Sequence, residues 1–141
     1  MLWESLRHFE KRKVKDSNEA LRKLLSWGGF LDEFEEFKKR EELYSFGIGK
    51  GVVLYKKQAE RENAELSILV AKPCIEYDSF DGVLISIFCF LSSPGDKFSY
   101  FQSLSRFYRL MNSATFRERL VRSESEEEVR KLIKKEEKDL E

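Results

Sequence analysis

The chain is poor in the residues that build reactive centres. It holds a single histidine, His8, and two cysteines, Cys74 and Cys89, among 141 residues. One imidazole and two separated thiols, with no C-x-x-C pair, do not supply a metal site, and no metal or other cofactor is expected. The cysteines read as small core residues kept reduced in the cytosol. A net charge is also missing: Lys plus Arg equals Asp plus Glu at 26 each. That balance leaves no basic footprint for nucleic acid. Long apolar runs are absent. The longest strongly apolar segment, Val83–Leu91, has nine residues, less than half of the roughly 20 needed to span a bilayer. The opening Met1-Leu2-Trp3-Glu4 has no signal-peptide core. The expected location is cytoplasmic, without direct membrane insertion.

What is present is charge of both signs and phenylalanine. Charged residues make up 37% of the chain and hydrophobic ones 41%, with twelve Phe. The length and apolar content suit one domain with one substantial core. The charge surplus is Lys, Arg and Glu, against two Gln and three Asn, a bias typical of thermophilic sources.

Hydrophobic spacing predicts the elements. Leu2, Trp3, Leu6 and Phe9 recur at helical intervals, so residues 1–15 read as a helical extension carrying His8. Asp16 then opens a helix, with Glu19 three residues on; Ala20, Leu21, Leu24, Leu25 and Trp27 form its inner face, and Gly28-Gly29 ends it. A helix from Leu31 to Tyr44 should bury Leu31, Phe34, Phe37 and Leu43. Strands are predicted at Val52–Lys56, Leu66–Lys72 and Val83–Leu91, the last a central strand covered on both faces. Asp78–Gly82 should turn the chain, and Ser92-Ser93-Pro94-Gly95 should break the central strand. A long helix from Asp96 to about Met111 carries Phe98, Phe101, Leu104, Phe107, Tyr108 and Met111 at helical spacing, and Phe98, Phe101 and Phe107 should face the core. A short helix after Ser113 and a capped helix from Glu126 follow, with Ser125 as N-cap and Lys134–Glu141 as a charged tail. Helices, then strands, then helices predict a three-layer α/β domain, a central mixed sheet flanked by helices on both faces.

One stretch stands apart. Arg40-Glu41-Glu42-Leu43 ends a charged helix, and Gly47-Ile48-Gly49-Lys50-Gly51 runs straight into the strand Val52-Val53-Leu54-Tyr55-Lys56. Glycine at alternate positions allows positive φ and leaves backbone amides bare towards a ligand. This pattern resembles the phosphorylation-site loop of the enzyme IIA domains of the phosphoenolpyruvate-dependent sugar phosphotransferase system, in the fructose, mannitol and nitrogen-regulatory class. The resemblance extends through Asp81-Gly82, the apolar strand and Pro94 to Phe116-Arg117-Glu118-Arg119-Leu120 and Ser125–Glu128. It implies an enzyme IIA-like domain over residues 16–136, between the helical extension 1–15 and a charged tail 137–141.

The resemblance also implies a phosphorylated histidine, preceded by proline, at the end of the strand. Here those positions read Tyr55-Lys56. A second family histidine, at the start of the long helix, aligns with Lys97. Phosphoryl transfer requires an imidazole lone pair, which histidine offers near neutral pH. Lysine ordinarily titrates near 10.4, and its ammonium form has no lone pair. The phosphoacceptor position is therefore degenerate, and no catalytic residue is assigned. The binding residues implied are Arg40, Gly47, Gly49, Gly51, Lys56 and Lys97, a cationic group beside free amides.

Three readings follow. The first is a non-catalytic regulatory or protein-interaction module, whose partner is a phosphotransferase component or a regulated target. Phe46 and Tyr55, if exposed, would give it an aromatic contact patch. The second is an active phosphocarrier of a fructose- or mannitol-type system, the third a sensor of phosphate or another anion.

Overall fold

The computed structural model describes residues 1–140. Its sheet has five strands: β1 (Leu6–Arg12), β2 (Gly47–Gly49), β3 (Val52–Ala59), β4 (Glu65–Ile75) and β5 (Ile85–Pro94). The order across the sheet is β1-β4-β5-β3-β2. Two pairings are parallel, β1 with β4 and β3 with β5; two are antiparallel, β4 with β5 and β2 with β3. The mixed sheet is thus as expected, with β5 at its centre.

Alternation along the strands divides the core in two. Ile87, Cys89 and Leu91 of β5 join Val52 and Leu54 of β3 on one face. Phe88 and Phe90 join Val53 and Tyr55 on the other. On the first face lie α1 (Leu2–Ser5), α4 (Lys97–Met111), α5 (Ala114–Arg122) and α6 (Glu126–Asp139). The second is covered by α2 (Ser17–Gly28) and α3 (Phe34–Leu43), preceded by a 3-10 turn at Leu31–Glu33. Caps form at Asp16 and Ser125, where the sequence signals them, and also at Asp96 and Ser113. Asp16, Asp96, Ser113 and Ser125 each accept a hydrogen bond from an amide of the following first turn.

Several expectations are corrected. The segment 1–15 is not a helical extension: only Leu2–Ser5 is helical, and β1 joins the sheet. The cause is a register shift between Leu6 and His8. It lets Leu6 and Phe9, three residues apart, serve the same core, so a bulged strand imitates helical spacing. Strands run longer than predicted. β4 passes through Pro73 to Ile75, and β5 continues through Ser92 and Ser93, both buried, to Pro94. Val83 and Leu84 precede β5 and are exposed. Leu31 lies in the tighter 3-10 turn and Leu43 at the last residue of α3, and both are exposed as well.

The largest departure is in α4. Its buried stripe is Ser103, Leu104, Phe107, Leu110 and Met111, whereas Phe98 is 75% exposed and Phe101 61%. At about 100° per residue, Phe98 falls nearly opposite the centre of that stripe.

The C-terminal segment is not a loose tail over its described part. α6 continues to Asp139, and Glu137 is buried. Its carboxylate accepts from the amides of Leu2 (3.0 Å) and Trp3 (2.9 Å), at the start of α1. Lys134 lies 4.5 Å from the Trp3 ring centre. Glu141 lies outside the described residues. Because two amides depend on Glu137, we expect Glu137→Ala to destabilise the fold by about 1–3 kcal/mol. Urea unfolding would show a lower midpoint with an unchanged slope; an unaltered midpoint would contradict the role of this clasp.

Candidate functional site

The glycine stretch forms a hairpin at the sheet edge. Gly47–Gly49 pairs antiparallel to the start of β3, and Lys50-Gly51 makes the turn. Gly49, Lys50 and Gly51 all have positive φ, at 89°, 60° and 80°. The backbone there is left-handed, as the glycine pattern predicts.

The turn is not bare. The segment Ser79–Asp81 lies against it. A Cβ on Gly49 would approach the Phe80 ring to 2.8 Å, and one on Gly47 would approach Ser79 Cβ to 2.7 Å. Asp81 Oδ2 accepts from the Lys50 amide at 2.7 Å, while Oδ1 accepts from Ser79 Oγ and the Val83 amide. The Gly47 amide donates to Ser45 Oγ, which itself donates to the Asp78 carbonyl. The glycines at 47 and 49 thus permit close approach of the chain's own acidic turn, and the anion meeting the Lys50 amide is internal. Sequence reasoning saw Asp81 only as a turn residue; its partner lies 31 positions away.

β3 places the next residues. Tyr55 is fully buried, its ring 5.0 Å from that of Phe46 and edge-on to Phe37. Phe46 is 6% exposed, so these two aromatics belong to the core and form no surface patch. Polar groups hold the arrangement. Glu41 Oε2 accepts from Tyr77 Oη at 2.6 Å and from Tyr55 Oη at 3.4 Å, and Tyr77 Oη accepts from the Phe46 amide at 3.1 Å. Burial, with Glu41 beside them, raises both phenols well above the usual tyrosine range. Glu41 and Tyr77 gave no sign in sequence beyond their place in a helix and an extended run.

Lys56 is half-buried on β3, opposite Leu91 of β5. It follows the alternation of Val52 and Leu54, towards the α4 layer, whereas Lys57 turns the other way to Glu33 (2.7 Å) and the Phe30 ring. Lys97 is the exposed first residue of α4, three positions after Pro94, whose β3 partner is Ala59. Among the described residues, neither the Lys56 nor the Lys97 amine has an ion-pair or hydrogen-bond partner. Arg40 pairs with Glu36 at 3.0 Å on α3. Burial raises the Tyr100 phenol of α4 above its usual range; Tyr108 and Tyr44 add to this and Arg40 opposes it. The end of α3 therefore lies within electrostatic reach of α4.

Two grooves border this region. One, of about 430 Å³, runs between the glycine turn and α4; Lys50, Tyr108 and Asn112 line it and Lys56 does not. The other, of about 610 Å³, follows α4 itself and includes Lys97. His8 is elsewhere. It sits on β1, its ring stacked on Trp27 at 5.3 Å, and β4 and β5 separate β1 from β3, about 14 Å at ordinary strand spacing.

Residues 8–136 match the family model described as phosphoenolpyruvate-dependent sugar phosphotransferase system, EIIA 2. The chain belongs to this family. Among curated proteins, no sequence match is found. Among solved structures, the nitrogen regulatory protein IIA-Ntr from Neisseria meningitidis superposes with a TM-score of 0.73 at 22% identity, covering 94% of this chain and 98% of that one. IIA mannitol from Escherichia coli gives 0.70 at 16% identity, covering 89% and 94%. The Escherichia coli complex of enzyme IIAMTL with phosphorylated enzyme IIBMTL gives 0.70 at 15%, covering 91% and 97%. At these identities the likeness is one of fold, and it agrees with the EIIA assignment. No helix of the described residues is long and apolar enough to cross a membrane.

Asp81 allows a test of the hairpin. The Lys50 and Val83 amides, in that order, hold its carboxyl below the usual carboxylate range. A depressed folded pKa contributes stability above the unfolded value, near 3.9 for Asp, and loses it as pH falls through the folded pKa. Asp81→Asn should therefore be less stable than the parent at neutral pH. The gap should close below the ordinary carboxylate range. Thermal melts across pH check this, and a gap that persists unchanged in acid would contradict it.

Proposed function

We propose that this EIIA-family chain is a non-catalytic module that acts through contacts with another protein, a phosphotransferase component or a regulated target, in the cytoplasm. One observation carries the reading. The β3 residue that the family resemblance puts at the phosphoacceptor position is Lys56, while the only imidazole is stacked on Trp27 three strands away. A lysine ammonium has no lone pair to attack a phosphoryl group, and histidine chemistry cannot be supplied from β1. A protein partner is in keeping with the fold, since enzyme IIAMTL forms a complex with phosphorylated enzyme IIBMTL.

The unpartnered amines of Lys56 and Lys97, with Arg40, favour a second reading, a phosphate or phosphometabolite sensor. The capping of the Lys50 amide by Asp81 weighs against it. The active-phosphocarrier reading needs a nucleophile, and Lys56, Lys97 and His8 do not provide one at position 56 of β3.

The test is phosphoryl uptake. Incubated with phosphoenolpyruvate, the first enzyme of the system and the histidine-containing carrier protein, the chain should acquire no stoichiometric label by intact mass. Acid-labile label on any residue would overturn the non-catalytic reading, and label on His8 would identify a relocated nucleophile.

A further inference from the structure

We propose that the solvent face of α4 docks an acidic amphipathic helix of the partner protein. The inference rests on the protein-contact reading above and names the partner's chemistry.

The first observation is apolar. Phe98 and Phe101 are 75% and 61% exposed on adjacent turns, away from the buried stripe of the same helix. Two large aromatics left in water on one helix face mark a contact surface rather than a core element. Tyr44, at the end of α3, is exposed too and lies within electrostatic reach of Tyr100.

The second is charge. From Lys97 to Met111 the helix carries Lys97, Arg106 and Arg109 and no acidic residue. The chain as a whole is neutral, and among the described residues eleven ion pairs engage other side chains or the N-terminus, yet none engages these three cations. Glu137, which shares a depression with Arg106 and Arg109, has its carboxylate on the Leu2 and Trp3 amides.

The third is shape. Phe98, Phe101 and the three cations line one continuous groove of about 610 Å³. Lys97 and Arg109 are twelve residues apart, about 18 Å along a helix axis. An occupant of about three turns would set an apolar stripe on Phe98 and Phe101 and carboxylates over Lys97, Arg106 and Arg109. Aromatic and cationic groups also suit single-stranded RNA, but the neutral charge balance and the pI of 6.7 favour a protein.

The probe is a fluorescein-labelled amphipathic peptide of about sixteen residues, with a leucine stripe and a glutamate rim. Its control has the same stripe and a lysine rim. We expect the glutamate-rim peptide to bind about tenfold tighter or better and to lose affinity as salt rises. Amide shifts should concentrate in residues 97–109. Phe101→Ala should weaken binding about tenfold. The double change Arg106→Glu with Arg109→Glu should invert the rim preference. These side chains are at least partly exposed, and urea midpoints equal to the parent's would confirm folded variants. Equal binding of both rims, shifts mapping elsewhere, or variants that bind like the parent would overturn the proposal. So would an oligouridylate that displaces the peptide, or salt-sensitive self-association lost in Phe101→Ala, which would give the face to RNA or to a second copy. Phosphoryl uptake in the relay assay would remove the non-catalytic reading and leave the peptide result intact, so the two failures are distinguishable.

Discussion

The parallel pairing of β3 with β5 is the constraint on which the rest of the molecule depends. It sets Val52 against Ile87 and continues without a slip to Ala59 against Pro94. Within it, alternate residues feed two cores, Val52, Leu54, Cys89 and Leu91 to one and Val53, Tyr55, Phe88 and Phe90 to the other. A slip of one residue would turn every one of these side chains to the wrong layer. The same register sets Lys56 on the α4 side and Tyr55 on the α3 side. It also sets the end of β3, Ala59, beside Pro94 at the end of β5, three residues before α4 begins at Lys97.

Around this register the chain has tied down the segments that flank it. Glu41, Tyr77 and Tyr55 form one buried polar group behind β3, with the Phe46 amide as a further donor. Asp81 fastens the acidic turn to the hairpin in front. Glu137 joins the last helix to the first. The Tyr77–Glu41, Lys50–Asp81 and Leu2–Glu137 links each span more than thirty positions and satisfy a donor that would otherwise compete for water. The result is an EIIA fold whose glycine turn is occupied from within and whose strand β3 carries the Lys56 amine.

Much of this was legible in the sequence. The layers, the central strand and the N-caps at Asp16 and Ser125 follow from local chemistry, which acts over a few residues. The glycine pattern carried the family resemblance because a left-handed turn leaves little choice of residue. The unreadable parts are non-local. β1 looked helical because a bulge mimics a three-residue period. Phe98 and Phe101 looked buried because phenylalanine usually is, and only the docking angle of α4 decides which stripe faces the sheet. Asp81 looked like a turn residue and Tyr77 like part of an extended run, because their partners, Lys50 and Glu41, are brought to them by the fold alone.

The account holds that the family scaffold still delivers positions 56 and 97 to a phosphoryl donor, and that only the side chains there are unfit. Restoring imidazoles tests that most directly. In the double variant Lys56→His with Lys97→His, intact mass and acid lability after incubation with the phosphorylated carrier protein should reveal a phosphoryl group that the parent never acquires. A double variant that folds like the parent yet stays unlabelled would contradict the account, because residue 56 would then not occupy the acceptor position that the family resemblance implies for it.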